Sequence, residues 1–159
     1  MYPIAGPPGR PLGFNGQSFW LSWTSRSEPQ LSWEKARAKC QEFCMDLVVI
    51  ENKETDDFVS DLIKRSRLYG VWTGGQKCKN EQCMSPDRKN VWVWEPPRRF
   101  ISHDRYRNWS NNGAKGQDQP DDFDSSEDCL AVLNDWYEDG VAWHDLQCED
   151  HLPFICQSA

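Results

Sequence analysis

The segment Asp118-Gln-Pro-Asp-Asp-Phe-Asp-Ser-Ser-Glu-Asp128 carries six carboxylates in 11 residues. Carboxylate and amide oxygens are hard donors, the type calcium gathers, so the segment reads either as a cation site or as a solvated loop that repels itself. The wider charge distribution points the same way. All 18 Lys and Arg lie at or before Lys115, and residues 116–159 hold 12 acids and no base. An EF-hand is excluded, because Pro120 follows two residues after Asp118 and the loop lacks that motif's glycine. His103, His144 and His151 do not build a catalytic set. There is no HExxH, and no Ser or Cys nucleophile stands beside a base, so the chain is expected not to be an enzyme. A net charge of −7 excludes nucleic acid, whose phosphates need a basic footprint. No window approaches the roughly 18 apolar residues of a membrane span.

The rest of the chain must position that loop. At 159 residues it has the length of one domain, and nine Trp and seven Cys supply an aromatic interior and cross-links. The cysteines lack zinc-site spacing, so disulfides and an oxidising, extracellular compartment are expected; spacing alone does not choose the pairing. The N-terminus has no signal-peptide apolar region and reads as a mature or trimmed chain. Residues 1–17, rich in Pro and Gly, are expected to form an extended arm, with the domain spanning 18–159. A strand is expected over Ser18–Thr24. Ser32 can cap a helix bearing Trp33, Ala36, Cys40 and Phe43 or Cys44, and a buried strand follows at Leu47–Ile50. Asn52 then caps a helix carrying Phe58, Val59, Leu62 and Ile63. Strands are expected at Val71–Thr73, Val91–Trp94, Cys129–Leu133, Gly140–Trp143 and Pro153–Cys156, with no persuasive element between Glu95 and Asp128. The fold class is α+β: two helices, two small antiparallel sheets and a long ordered loop.

The ordered set Trp33-x-x-Ala36-x-x-x-Cys40, Leu47-Val-x-Ile50, Val71-Trp-Thr-Gly74, Glu127-Asp-Cys129, Trp143-His-Asp-x-x-Cys148 and Phe154-Ile-Cys156 resembles the C-type lectin-like domain over residues 18–157. The Cys44-Met-Asp46 spacing looks like that of secreted arthropod members. The resemblance implies disulfides Cys40–Cys156 and Cys129–Cys148, with Cys78–Cys83 as a local bridge. Cys44 is left over, either as a buried thiol or as a bridge to another Cys outside this chain. The resemblance also implies that Gln119, Asp121, Glu127 and Asp145 hold Ca²⁺. Gln119-Pro-Asp121, with the amide before the carboxylate, resembles the galactose-type arrangement, and Phe123 stands where such members place a ring against the sugar. Asp122 and Asp128 match part of an auxiliary calcium site. His144 replaces the family's Asn at a position that contacts sugar and ion, and a neutral imidazole is a poor calcium ligand. The implied function is a secreted, calcium-dependent recognition module for glycans or glycoproteins with terminal galactose-type sugars. The alternative is a calcium-independent protein-interaction or matrix module on the same fold. Arg98, Arg99, Arg105 and Arg107 read either as a solvated face or as a site for a sulfated glycan or acidic partner. Asn108-Trp-Ser110 fits the N-glycosylation sequon.

Overall fold

The computed structural model describes residues 7–26, 29–79, 91–95, 98–102, 104–114, 116–121 and 126–158. Strand β1 (Leu12–Phe14) turns into β2 (Gln17–Leu21), and helix α1 (Trp33–Glu42) leads to β3 (Asp46–Leu47). Helix α2 (Lys53–Arg65) precedes β4 (Gly70–Lys77), β5 (Trp92–Trp94) and β6 (Arg99–Phe100). The chain closes with β7 (Cys129–Asn134), β8 (Val141–Leu146) and β9 (Ile155–Gln157). Among the described residues the strands form two antiparallel sheets, ordered β1-β2-β9-β3 and β6-β5-β4-β7-β8. The α+β expectation therefore holds, and no described helix is long and apolar enough to cross a membrane.

Both helices follow from their patterns. Along α1, Trp33, Ala36 and Cys40 are buried at spacings of three and four, although the Ser32 hydroxyl makes no capping bond. Asn52 does cap α2, its Oδ1 accepting from the Thr55 N–H at 2.8 Å, and Val59 and Ile63 are buried. Two side-chain clusters form the interior. Phe19, Ile50, Val132 and Trp143 belong to one; Trp33, Leu47, Trp72 and Phe154 belong to the other, beside both described disulfides. Cys40–Cys156 links α1 to β9 across 116 residues, which in the chain-entropy account stabilises the fold by about 4–5 kcal/mol. Cys129–Cys148 joins the start of β7 to the segment after β8. Cys78 is also in a disulfide; its expected partner Cys83 lies outside the described residues. Trp72, Trp92, Trp94 and Trp143 are buried as expected, and Trp109 is half-buried.

Four expectations need correction. Residues 12–17 are not a bare arm: Leu12 pairs with Phe19 because Asn15 and Gly16 both take positive φ (47° and 76°), the backbone of a two-residue hairpin turn. The expected strand at Ser18–Thr24 stops at Leu21, where a short 3₁₀ turn begins. The Glu95–Asp128 span does contain an element, β6, paired with β5. Cys44 is an exposed free thiol, not a buried one. Helix α1 ends at Glu42, and Cys44 takes the left-handed conformation (φ 55°) beyond it, so the helical face that Cys40 shares does not reach it.

Candidate functional site

The β7–β8 hairpin sets the frame. Its register opposes Leu130 to Asp145, placing the carboxylate near the open end that Cys129–Cys148 closes. Asp145 is 1% exposed. The backbone N–H of Asp121 donates to Asp145 Oδ1 at 3.2 Å, and Glu127 stands two residues before β7. One ligand oxygen from each of Asp121, Glu127 and Asp145 lies within 4.8 Å of the other two. Calcium–oxygen bonds run about 2.3–2.6 Å, so two ligands on opposite sides of one ion stand about 5 Å apart, and this spread fits a shared ion. A second observation supports the fit. Asp121 Oδ2 is buried and has no hydrogen-bond partner among the described residues. Leaving a charged acceptor unsatisfied is costly, and a cation removes that cost. Burial, followed by the negative field of Glu127, Asp121 and Asp139, also raises the Tyr137 hydroxyl above its ordinary pKa.

Gln119 reaches the site region through a second set of contacts. Its backbone N–H donates to Ser110 O at 2.7 Å, and its peptide bond to Pro120 is cis. The Gln119 side chain is 8% exposed and lies over Gly113, where any Cβ would meet its Nε2 at 1.9 Å. A side chain at 113 would require that amide to move. A long bond of 3.4 Å from Nε2 to Gln117 O completes its surroundings.

His144 is held by a partner that the sequence reading does not name, Asp139. Adjacent strand residues point to opposite faces, so Asp145 and its neighbour His144 diverge. The imidazole is 1% exposed and its Nε2–H donates to Asp139 Oδ2 at 2.7 Å, while the ring packs against Tyr137 at 5.3 Å. Burial holds His144 below its ordinary pKa, so the ring is neutral near pH 7. Ser110 Oγ donates to the same Asp139 oxygen at 2.5 Å. Burial would raise the Asp139 carboxyl, but the Ser110 and His144 bonds outweigh it and hold the group below the usual range. His144 is thus buried against Asp139, and the charge of Asp121 also reaches it. Phe123 and Asp122 lie outside the described residues, as does His103.

The sequon asparagine also turns inward. Asn108 Nδ2 donates to Asp56 Oδ2 at 2.8 Å, so the atom a glycan would occupy is committed to the interior. Asp56 is 2% exposed, and also receives the Tyr106 hydroxyl at 2.5 Å and Trp143 Nε1 at 3.5 Å. Burial raises its pKa, against the lowering effect of those three donors. Tyr106 in turn is pushed up, by burial first and then by Asp56. Asp56 and Asp139 were not singled out from the sequence: Asp56 reads as one polar residue of an amphipathic helix, and Asp139 as one acid of an acidic turn. Nothing local marks either as buried.

Comparison with known proteins agrees with this architecture. The Lectin C-type domain matches residues 29–158. Perlucin of Haliotis laevigata is 29% identical over 150 residues, covering 94% of this chain and 83% of its own. L-selectin of Bos taurus is 29% identical over 138 residues, covering 86% of this chain but 32% of its own, so the chain spans about a third of that relative's length. Among solved structures, the lectin CEL-I of Cucumaria echinata superposes with a TM-score of 0.68 at 18% identity, covering 95% of this chain and 96% of that one. The lectin domain of murine dendritic cell inhibitory receptor 2, solved with an N-glycan, gives 0.66 at 20% identity, covering 96% and 98%. These last two likenesses concern the fold. By the match over 29–158, this chain belongs to the C-type lectin domain family.

Proposed function

We propose that this chain is a secreted, non-enzymatic recognition module that binds galactose-type sugars of glycans or glycoproteins in a calcium-dependent manner. The observation that carries the reading is the unsatisfied Asp121 Oδ2 inside the Asp121, Glu127 and Asp145 cluster. Those three side chains would hold Ca²⁺, with Gln119 supplying an amide oxygen after its side chain leaves Gly113. Bound there, calcium supplies open coordination positions for two vicinal sugar hydroxyls. The protein's own part is to orient those hydroxyls: the carboxylates accept their protons, and the Gln119 amide can both donate and accept. The Asp121 N–H bond to Asp145 keeps the Asp145 Oδ1 in place before any ligand arrives. The amide-before-carboxylate order, carried over from the family resemblance, favours galactose over mannose.

The test is isothermal titration of calcium into EDTA-stripped, disulfide-intact protein, with thermal midpoints alongside, followed by lactose-versus-mannose competition. Saturable calcium binding with lactose preference is expected. A second reading, a calcium-independent protein or matrix module, is favoured by two side chains that turn away from the cluster: Gln119 onto Gly113 and His144 onto Asp139. Under that reading neither heat nor midpoint responds to calcium.

A further inference from the structure

Of the nine tryptophans, Trp136 alone is exposed, at 59%; the other eight are buried or half-buried. It stands in the turn between β7 and β8 with its ring 5.8 Å from that of Tyr69, which is itself exposed, and neither ring belongs to the two interior clusters. Three segments meet at this pair. The backbone N–H of Asn134 donates to Tyr69 O at 2.9 Å and its Nδ2 to Leu68 O at 3.1 Å, while the Tyr69 hydroxyl donates to His151 O at 3.1 Å. The turn itself is closed by two bonds between Asp135 and Gly140: the Asp135 N–H donates to Gly140 O at 2.7 Å, and Asp135 Oδ1 accepts from the Gly140 N–H at 2.9 Å. The rings are thus presented to solvent by a braced frame. The same three segments carry Asp135, Glu138, Glu149 and Asp150, all exposed, against the guanidinium of Arg67 and the imidazole of His151. None of those four carboxylates is in an ion pair among the described residues. Burial first, then the charge of Asp150, raises the Tyr69 hydroxyl above its ordinary pKa, so that carboxylate lies within reach of the ring pair.

We propose that the Trp136 and Tyr69 rings, with the carboxylates around them, form a docking surface for an arginine-bearing segment of a partner protein. Charge complementarity selects the occupant. A bare ring pair takes any apolar group, but a ring pair with a net negative rim repels anionic partners and gathers cations. A guanidinium lies flat on an indole face and keeps its edge N–H donors free for carboxylates, which a compact ammonium does less well. Trp and Arg are also the side chains on which binding energy concentrates at protein interfaces. This surface shares no residue with the Asp121, Glu127 and Asp145 cluster, so the proposal goes beyond the calcium-dependent sugar reading and stands or falls separately from it.

The experiment titrates the disulfide-intact chain into three dye-labelled, capped peptides, identical except that two central positions are arginine, citrulline or leucine. Anisotropy reads affinity, and the indole N–H signals of the nitrogen-15-labelled chain read location, with Trp136 identified by the signal that Trp136→Ala removes. The arginine peptide is expected to bind about five- to thirtyfold more tightly than the citrulline peptide, the scale of one exposed cation–π contact with one or two exposed ion pairs, and to shift the Trp136 indole signal. That preference should shrink at high salt. Trp136→Ala should abolish it, and Glu149→Gln/Asp150→Asn should reduce it severalfold, both with the wild-type thermal midpoint. Affinity should be the same with calcium and with EDTA, so failure of the calcium titration leaves this result untouched. Equal binding of the arginine and citrulline peptides, preference for leucine, or arginine binding that survives Trp136→Ala overturns the proposal. Self-association of the chain alone, seen by sedimentation and removed by Trp136→Ala, assigns the rings to a second copy and overturns it as well.

Discussion

Two acidic sites among the described residues, around Asp56 and around Asp121, differ in their partners. Asp56 sits behind the long loop with three neutral donors, from Tyr106, Asn108 and Trp143, aimed at its two oxygens. Asp121, in front, shares its space with Glu127 and Asp145 and has one oxygen with no partner. The first is a closed account in hydrogen bonds and ties α2 and β8 to the loop. The second gathers like charges and leaves an acceptor unsatisfied, an arrangement that costs stability unless a cation joins it. The difference separates a structural carboxylate from a ligand-seeking one better than burial does, since Asp145 of the second site is as buried as Asp56.

The sharpest break between the two is Asp56→Ala. It strands three buried or half-buried donors and should lower unfolding stability by about 3 kcal/mol or more, by the same amount with calcium or EDTA. Denaturant titration checks this; a calcium-dependent loss would erase the distinction. Asp121→Ala should do the reverse. At a calcium concentration about 100 times Kd, wild type gains about 2.7 kcal/mol, a thermal midpoint rise of several degrees, and the variant loses that gain. In EDTA the variant should match wild type or exceed it slightly, because one of three clustered charges is gone.

Acid sharpens the comparison through His144 and Asp56, whose signs oppose. His144 has a folded-state pKa below its ordinary value of 6.5, so as pH falls below 6.5 the unfolded chain binds the proton first and stability declines until the folded pKa is reached. Asp56 has a raised pKa, so its protonated form is favoured in the folded state, and its contribution to stability falls as pH rises from 3.8 through the folded value. In calcium-free protein, His144→Gln should flatten the decline just below pH 6.5, and Asp56→Asn should leave that limb unchanged. Stability curves by urea titration at stepped pH read both. The smallest effect belongs to Cys44→Ser. The thiol is exposed and distant in sequence from both sites, so stability should stay within about 0.5 kcal/mol of wild type with or without calcium.

Helices α1 and α2 and strands β4, β5, β7, β8 and β9 were legible because apolar spacing and Trp-rich runs report burial directly. The carboxylates Asp121, Glu127 and Asp145 were legible as well, through their place relative to Cys129 and Trp143, and the fold brings all three together. The setting of His144 was not legible, because its partner Asp139 is brought to it by the β7–β8 turn and by nothing in the motif around it. The direction of Asn108 was not legible either: a sequon records residue types and says nothing of where the amide points. The β1–β2 hairpin was missed by weighing the Pro and Gly content of the arm above its Asn-Gly turn.

By itself the sequence determined the periodic elements, the disulfide-bearing framework and the excess of acids after residue 115, since each depends on residue type and spacing along the chain. The tertiary structure decided which acids are satisfied and which are not. It paired Asp56 with donors 50 and more residues away, set Asp139 beneath Ser110 and His144, and left Asp121 with a bare oxygen. Hydrogen bonds are directional and short in reach, so the fate of a carboxylate is settled by which donors the fold brings within about 3 Å, a matter that composition and periodicity do not encode.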